Sequence, residues 1–205
     1  MLLLLFEVTP REGHVDEYLE IAARLRPQLD ALGGCLFIDR YRSLSRPRAI
    51  LSYQVWQDEA ALTRWRVHGE HHKAQALGRV RVFDDYRLRV AVLVRVEARG
   101  EAPWQAAHGS TWSDPTTTPR RDVGVAESDA PMLAGASESF ESIYRPGEFA
   151  HVLGWQHGQP TPSLDRLPGA RRLRLAEIER DYGMHDRREA PQYYAPFHTH
   201  PREAP

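Results

Sequence analysis

The chain has 205 residues, a length that suits one large domain or two small ones. Its hydrophobic content of 41% is sufficient for a core, and 27 basic and 28 acidic residues give a formal net charge of -1. Neither sign forms a long run, which disfavours nucleic acid as a partner. The single cysteine, Cys35, excludes an intrachain disulfide and a cysteine-rich zinc site, and we expect a cytoplasmic protein.

The chain opens on the apolar run MLLLLF, which is followed directly by Glu7. This run is short and has no basic region before it, so it is not typical of a signal peptide. We predict a buried first strand over residues 2–9. No later stretch approaches the roughly 18 apolar residues that a membrane-spanning helix needs, so no membrane partner is expected.

The segments that follow alternate between helix and strand patterns. Apolar residues at helical spacing predict a helix from Val15 to Leu32, with a kink or a short second piece at Pro27. Two β-like runs, CLFIDRYRS and RAILSYQVWQ, predict a hairpin, and Asp58 is expected to cap the next helix. Valines and leucines between residues 80 and 94 alternate as in a strand. The order β-α-β-β-α-β is the ferredoxin-like arrangement.

The second predicted helix carries a tryptophan and three histidines. On an uninterrupted helix Trp65, His68 and His72 share one face, with His71 to its side. Imidazoles beside an aromatic wall indicate a reaction pocket, and His68 or His72 suits a base because imidazole titrates near pH ~6.5. His71 is a further catalytic candidate, although its position beside Gly69 also indicates a surface or capping role.

The rest of the chain indicates a shortened repeat. Residues 98–136 contain prolines, glycines and a TTT run with little periodicity, and they predict a linker or a surface excursion. The segments FESIYRPGEFAHVLGWQ and RRLRLAEIERDYGM then echo FIDRYRSLSRPRAILSYQVWQ and LGRVRVFDDYRLRV of the first half. We therefore divide the chain into a first half at 1–97, the linker at 98–136 and a degenerate second half with a C-terminal tail at 137–205. The second half lacks a histidine helix, so chemistry is expected in the first.

Several segments resemble the antibiotic biosynthesis monooxygenase superfamily of dimeric α+β barrels. They are the turn PREGH, the helix end LRPQLDALGG, the stretch SYQVWQDEAALTRWRVHGEHHKAQ and the strand FDDYRL, and together they cover about residues 2–95. In that superfamily two ferredoxin-like units pair their sheets into a barrel across a dimer interface. The resemblance and the repeat together predict an α+β fold, a ferredoxin-like βαββαβ unit plus a truncated second unit, forming a pseudo-dimeric α+β barrel. A homodimer of the whole chain stays open.

The resemblance implies a cofactor-independent monooxygenase that oxidises a phenolic, anthrone or quinonoid aromatic with dioxygen. No cofactor is then required, because the deprotonated substrate itself passes an electron to dioxygen. The protein must supply a base, a shielded slot and a hydrogen-bond donor to the developing oxyanion, which Tyr86 or a histidine could provide. The predicted catalytic residues are Trp65, His68, His72 and His71, and the predicted substrate-binding residues are Phe6, Phe37, Trp56, Phe83 and Tyr86. Of the latter, Phe37, Trp56 and Phe83 fit a packed core better than a slot.

Two other functions stay open. One is a non-catalytic ligand-binding or assembly protein of the same fold. The other is a haem- or metal-dependent member. Haem degradation is disfavoured because the strand-one asparagine and the haem-ligating histidine of that branch align with Phe6 and Gln75. A metal held by His68 and His72 would lack a third ligand on their face.

The segment from Arg180 to Phe197 is dense in charged and aromatic residues. It is expected to dock on a domain, either along the barrel exterior or as a lid over the pocket with Arg187 or Tyr193 facing a substrate.

Overall fold

The computed structural model describes residues 1–106, 121–155 and 161–191. The first half consists of β1 (Leu2–Pro10), α1 (Val15–Leu32), β2 (Cys35–Ser43), β3 (Ile50–Trp56), α2 (Glu59–Val67), α3 (Gly69–Leu77) and β4 (Phe83–Ala98). The remainder contains β5 (Trp104–Gln105), β6 (Asp122–Ser128), β7 (Glu138–Ser142), β8 (Phe149–Leu153) and β9 (Ala170–Gly183). In the described residues, the second half keeps four strands of the repeat and replaces the long helices with loops and a short 3₁₀ turn at Leu164–Arg166.

Eight of these strands form a closed antiparallel barrel. Their order is β1-β3-β2-β7-β8-β6-β9-β4, and β4 pairs back with β1, while β5 extends one edge of β4. The two halves meet at two seams, where β2 pairs with β7 and β4 pairs with β9. The predicted pseudo-dimeric α+β barrel, with a ferredoxin-like unit and a truncated second unit, is confirmed.

The barrel interior is filled with side chains. Successive residues of a strand point to opposite faces, so Leu3 and Leu5 of β1 face inward while Leu2 and Leu4 face the helices. Alternate residues from all eight strands form one apolar cluster inside the barrel. Phe37 of β2 packs against this cluster, so its predicted place in a substrate slot is wrong. The alternation on β2 explains this, because from Phe37 onwards, past a register shift after Cys35, the odd positions of the strand face the barrel axis.

A polar group crosses the barrel interior and joins the halves. Arg174 of β9 donates to the carboxylate of Glu127 on β6 and to the hydroxyl of Tyr53 on β3. The Tyr53 hydroxyl in turn lies 3.2 Å from Glu127 Oε1. Burial raises the pKa of Tyr53 well above its ordinary value, so the phenol stays protonated. Each of these three buried side chains therefore has a partner, as an apolar environment requires.

Helices cover the outer face of the first half. Asp58 caps α2 as predicted, because its side chain accepts a hydrogen bond of 2.7 Å from the backbone N–H of Ala61. Gly34 has φ +85°, and a Cβ there would lie 2.4 Å from the Ala61 Cβ, so only glycine lets α2 approach this closely. Pro27 lies inside α1, which continues as one helix and forms no separate second piece. None of the described helices is both long and apolar enough to cross a membrane.

Two sequence predictions of secondary structure are wrong. Residues 122–128, which were assigned to the linker, form the barrel strand β6. Its inward Val123 and Val125 alternate with the small outward residues Gly124 and Ala126, so the periodic signal is weak. Residues 78–82, which were assigned to a strand, form a turn of π-helix that precedes β4. Their alternating valines do not act as a strand, since Val80 is exposed and Val82 is buried.

Candidate active site

A cavity of about 140 Å³ lies on the outer face of the barrel, beneath α2 and α3. Outward-facing residues of β1, β3, β4 and β9 contribute to its wall, because the alternation that fills the barrel with every second residue leaves the others on this face. A neighbouring chamber of about 110 Å³ extends towards α1 and shares several of these residues. The lining consists of Leu4, Phe6, Gln54, Leu62, Trp65, Arg66, His71, Gln75, Arg79, Phe83, Tyr86, Leu88, Val90, Arg180, Tyr182, Arg187 and Pro191.

The predicted single helix around the histidines is wrong, because the helix is interrupted at His68. This residue has φ -60° and ψ 129°, ends α2 and begins α3. Gly69 is unfavourable inside a helix, which makes this the weak point of the segment. The backbone N–H of His68 donates to the Trp65 carbonyl at 3.1 Å, and His71 Nδ1 lies 2.9 Å from the same oxygen. His71 therefore caps α2, in agreement with the capping role considered for it.

The break decides which histidine reaches the cavity. The His71 ring stacks on Trp65, with 4.3 Å between centroids and 14° between planes, and both residues line the cavity. The His68 ring also stacks on Trp65, at 5.6 Å, but it does not line the cavity. His72 is exposed. The predicted common face of Trp65, His68 and His72 is therefore wrong, and the change of direction at His68 is the physical reason.

His71 is held as a neutral imidazole with a defined tautomer. A carbonyl oxygen can only accept, so the contact with Trp65 requires the proton on Nδ1 and leaves the lone pair on Nε2. Burial lowers the pKa of His71 to about 4, which keeps the ring unprotonated at neutral pH. The Gln75 amide lies 3.2 Å from Nδ1 on the next turn of α3. His71 thus presents a base form whose orientation is set by Trp65.

Tyr86 stands in the cavity wall between two cations. Its hydroxyl oxygen accepts hydrogen bonds from Arg79 Nη1 at 2.7 Å and from Arg187 Nη1 at 2.6 Å. A hydroxyl oxygen has two acceptor lone pairs and one O–H. With both lone pairs used, the O–H is left to donate to a third group. The arrangement can therefore stabilise negative charge on a bound oxygen.

Three of the five residues predicted to bind substrate lie in the cavity wall. Phe6 meets Phe83 and Tyr86 edge to face, at centroid distances of 5.9 and 5.6 Å. Trp56, by contrast, is completely buried between the sheet and α2, so its predicted place in the slot is wrong. Its indole N–H donates to Gln54 Oε1 at 2.8 Å, and Gln54 does line the cavity. Trp56 therefore supports the wall from behind.

On the basic side of the cavity, sequence reasoning considered Arg187 and missed the other arginines. Among the described lining residues four are arginines and none is a carboxylate: Arg66, Arg79, Arg180 and Arg187. Arg180 and Tyr182 come from β9, at outward positions that pair with Val90 and Leu88 of β4. The repeat of RDYGM against FDDYRL was the available signal, because it placed β9 in the role of β4. No cluster of three His, Cys, Asp or Glu suited to a metal occurs in the part of the chain that the structure describes.

The segment after β9 folds back along the cavity, in line with the lid considered for it. The Met184 N–H donates to the Tyr86 carbonyl at 3.1 Å, and Glu189 accepts from the Asp181 N–H at 2.7 Å. This path brings Arg187 and Pro191 to the cavity wall. The tail residue Tyr193 lies outside the described residues.

Comparisons with known proteins agree with this architecture. The family described as antibiotic biosynthesis monooxygenase matches residues 1–77. The jasmonate monooxygenase ABM of Pyricularia oryzae is 35% identical over 218 aligned residues, which cover 96% of this chain and 99% of that protein. The chain therefore belongs to the antibiotic biosynthesis monooxygenase family. It is a monooxygenase of that family, and its substrate is a small molecule.

Solved structures with related folds have low sequence identity. A Pseudomonas aeruginosa protein is 16% identical, with a TM-score of 0.39, and covers 52% of this chain and 94% of its own. A Lactobacillus acidophilus protein is 9% identical, with a TM-score of 0.42, and covers 86% of this chain and 92% of its own. Both TM-scores are below 0.5, so the family assignment rests on the sequence matches.

Proposed function

We propose that this monooxygenase oxidises a small, largely apolar carbonyl compound that carries a carboxylate, the class to which jasmonate belongs. The observation that carries the proposal is the lining of the cavity, in which aromatic and aliphatic residues are accompanied by four arginines and, among the described residues, by no carboxylate. Such a site is complementary to a substrate that has an apolar body and an acidic group. The near full-length relationship to a protein named as a jasmonate monooxygenase supports the same class.

His71 is the proposed base. Its neutral Nε2 takes a proton from a substrate methylene next to a carbonyl, and the charge moves to the carbonyl oxygen as an enolate. An imidazole with a pKa of about 4 is a weak base, so the enolate must be stabilised strongly. The Tyr86 O–H, backed by the Arg79 and Arg187 guanidiniums, supplies that stabilisation.

The enolate then supplies the electrons for oxygen chemistry. It passes one electron to dioxygen, and recombination of the two radicals gives a hydroperoxide at the former methylene. Loss of water converts this carbon to a carbonyl, so that CH₂ and O₂ become C=O and H₂O. The balance needs no external reductant, which is consistent with a cofactor-independent enzyme. Trp65 and Phe6 shield the reacting carbon from bulk water.

A second substrate class is the phenolic, anthrone or quinonoid aromatic suggested by the sequence. The stacked pair of Trp65 and His71 and the edge-to-face rings of Phe6, Phe83 and Tyr86 favour a flat ring system. The same base and oxyanion donor serve both classes. The carboxylate is the feature that separates them.

Oxygen uptake and product mass test the proposal. Chelator-treated protein is offered jasmonate, methyl jasmonate, an anthrone and a hydroquinone, with the uncatalysed autoxidation of each subtracted. We expect oxygen uptake with jasmonate and much less with its methyl ester. The product should be about 14 mass units heavier than the substrate, because converting one CH₂ to C=O removes two hydrogens and adds one oxygen. Uptake with the anthrone alone would favour the second class, and uptake only after addition of haem or a metal ion would favour a cofactor-dependent reaction.

A further inference from the structure

We infer that Arg180, a residue of the second half, binds the substrate carboxylate and sets the preference for acids. The inference rests on the proposed function above. It assigns to the degenerate half a role in substrate recognition, beyond closing the barrel.

One nitrogen of the Arg180 guanidinium is held in an ion pair, and another has no hydrogen-bond partner among the described residues. Its Nη2 donates to both carboxylate oxygens of Glu59, at 2.9 and 2.8 Å, so β9 is joined to the first turn of α2. Its Nε is enclosed and makes no hydrogen bond to any described residue. A buried N–H of a cation without an acceptor is costly, and a ligand carboxylate would remove that cost with a charge-assisted hydrogen bond.

The other contacts in the wall favour Arg180 over Arg79 and Arg187. Arg79 and Arg187 each donate a hydrogen bond from Nη1 to the Tyr86 hydroxyl, so they belong to the end of the cavity that would hold the oxyanion. Arg180 lies opposite Val90 in the β4–β9 pairing, four positions along β4 from Tyr86. At roughly 3.3 Å per residue this separates the two Cα positions by roughly 13 Å.

The floor between these two ends is formed by Leu88 and Tyr182. The site therefore fits an elongated substrate with a carboxylate at one end, a reactive carbonyl at the other and an apolar middle. A neutral ester of the same shape would fill the apolar part and lose the contact with Arg180.

Calorimetric binding of jasmonate and methyl jasmonate, without turnover, tests the inference. R180Q is expected to weaken binding of the acid by about 10–100-fold and to change binding of the ester by less than about twofold. R180K, which keeps the charge and loses the guanidinium fork, should fall between the two. The control R64Q changes the net charge equally at an exposed position of α2 and should leave both affinities as they are.

Three results would overturn the inference. They are equal loss of acid and ester binding in R180Q, selective loss of acid binding in R66Q instead, and wild-type protein that binds the acid no more tightly than the ester. If R180Q alone does not fold, the double variant R180Q/E59Q removes both members of the ion pair and takes its place. Tight, Arg180-dependent binding of an acid that is not oxidised would contradict the proposed reaction and leave the inference intact.

Discussion

The two halves of the barrel share their strands and differ in what covers them. The outer face of the first half lies under α1, α2 and α3, and the cavity forms between sheet and helices. The outer face of the second half is covered by loops, with Leu133, Leu164 and Leu167 packed on the sheet. Two helices joined by a sharp break leave room that no side chain fills. The comparison shows that the elements packed on the outer face of the barrel, more than the sheet itself, decide where a cavity forms.

A histidine in each half illustrates the difference. His151 of β8 is completely buried and makes hydrogen bonds through both ring nitrogens, to Ser128 Oγ at 2.7 Å and Ser139 Oγ at 2.8 Å. His71 uses Nδ1 alone and turns its ring to the cavity. Burial lowers the pKa of both. Of these two histidines, His71 is the one that combines a neutral ring with access to a ligand, so it is the one suited to catalysis.

The sharpest test of this comparison is removal of the His71 imidazole. H71A should lower kcat by about 10²–10⁴-fold, because the general base is lost. H72A changes an exposed ring on the same helix and should stay within about twofold. Steady-state oxygen uptake with the best substrate measures both variants. A large loss in H72A or H68A, with H71A active, would restore the assignment made from sequence.

The polar group inside the barrel is tested at the ion pair between Arg174 of β9 and Glu127 of β6. R174M leaves the Glu127 carboxylate buried without a cationic partner and should lower the free energy of unfolding by about 3–5 kcal/mol. The double variant R174M/E127L replaces the pair with apolar side chains and should recover most of that loss. Urea denaturation measures both. Equal stability of the single and double variants would show that Glu127 carries no penalty when it is buried without Arg174.

The oxyanion role proposed for Tyr86, whose hydroxyl contacts Arg187 of the segment after β9, is tested by removing that hydroxyl. Y86F removes the O–H that faces the substrate and should lower kcat by about 10²–10³-fold with a smaller effect on KM. Y182F removes the hydroxyl of a second tyrosine in the same wall, whose ring centroid lies 5.4 Å from the central carbon of the Arg187 guanidinium. It is expected to cost less than about tenfold. Similar losses in both variants would mean that the double guanidinium contact gives Tyr86 no special role.

The smallest expected effect is a pH dependence of stability. The pKa of His71 is lower in the folded protein than the ordinary value of 6.5, so protonation favours unfolding. The contribution of neutral His71 to the free energy of unfolding is fully present above pH ~6.5 and is lost as the pH falls towards about 4. The difference in unfolding free energy between wild type and H71Q should therefore shrink by about 1–3 kcal/mol over that window. Urea titrations of both proteins at several pH values measure it, and a constant difference would contradict the burial of His71.

Local patterns predicted much of the first half. Strand β1, the β2–β3 hairpin and the Asp58 cap follow from alternation and capping chemistry, which depend on neighbouring residues. Strand β6 and the π-turn were missed because small residues weaken alternation and because an alternating pair of valines also fits a turn. Of the predicted site, Phe6 and Tyr86 share a wall because strand parity places them on the helix side, where Trp65 of α2 lines the same cavity.

The sequence by itself determined the class of fold, the pairing of aromatic residues with a histidine segment and the presence of a shortened repeat. These follow from periodicity and composition, which a chain carries without any long-range contact. Only the tertiary structure decided that His71, not His72, meets the cavity, since that depends on a break of one residue at His68. It also brought Arg180 to the site, because strand pairing joins β9 to β4 across about ninety positions of sequence, a register that no local pattern records.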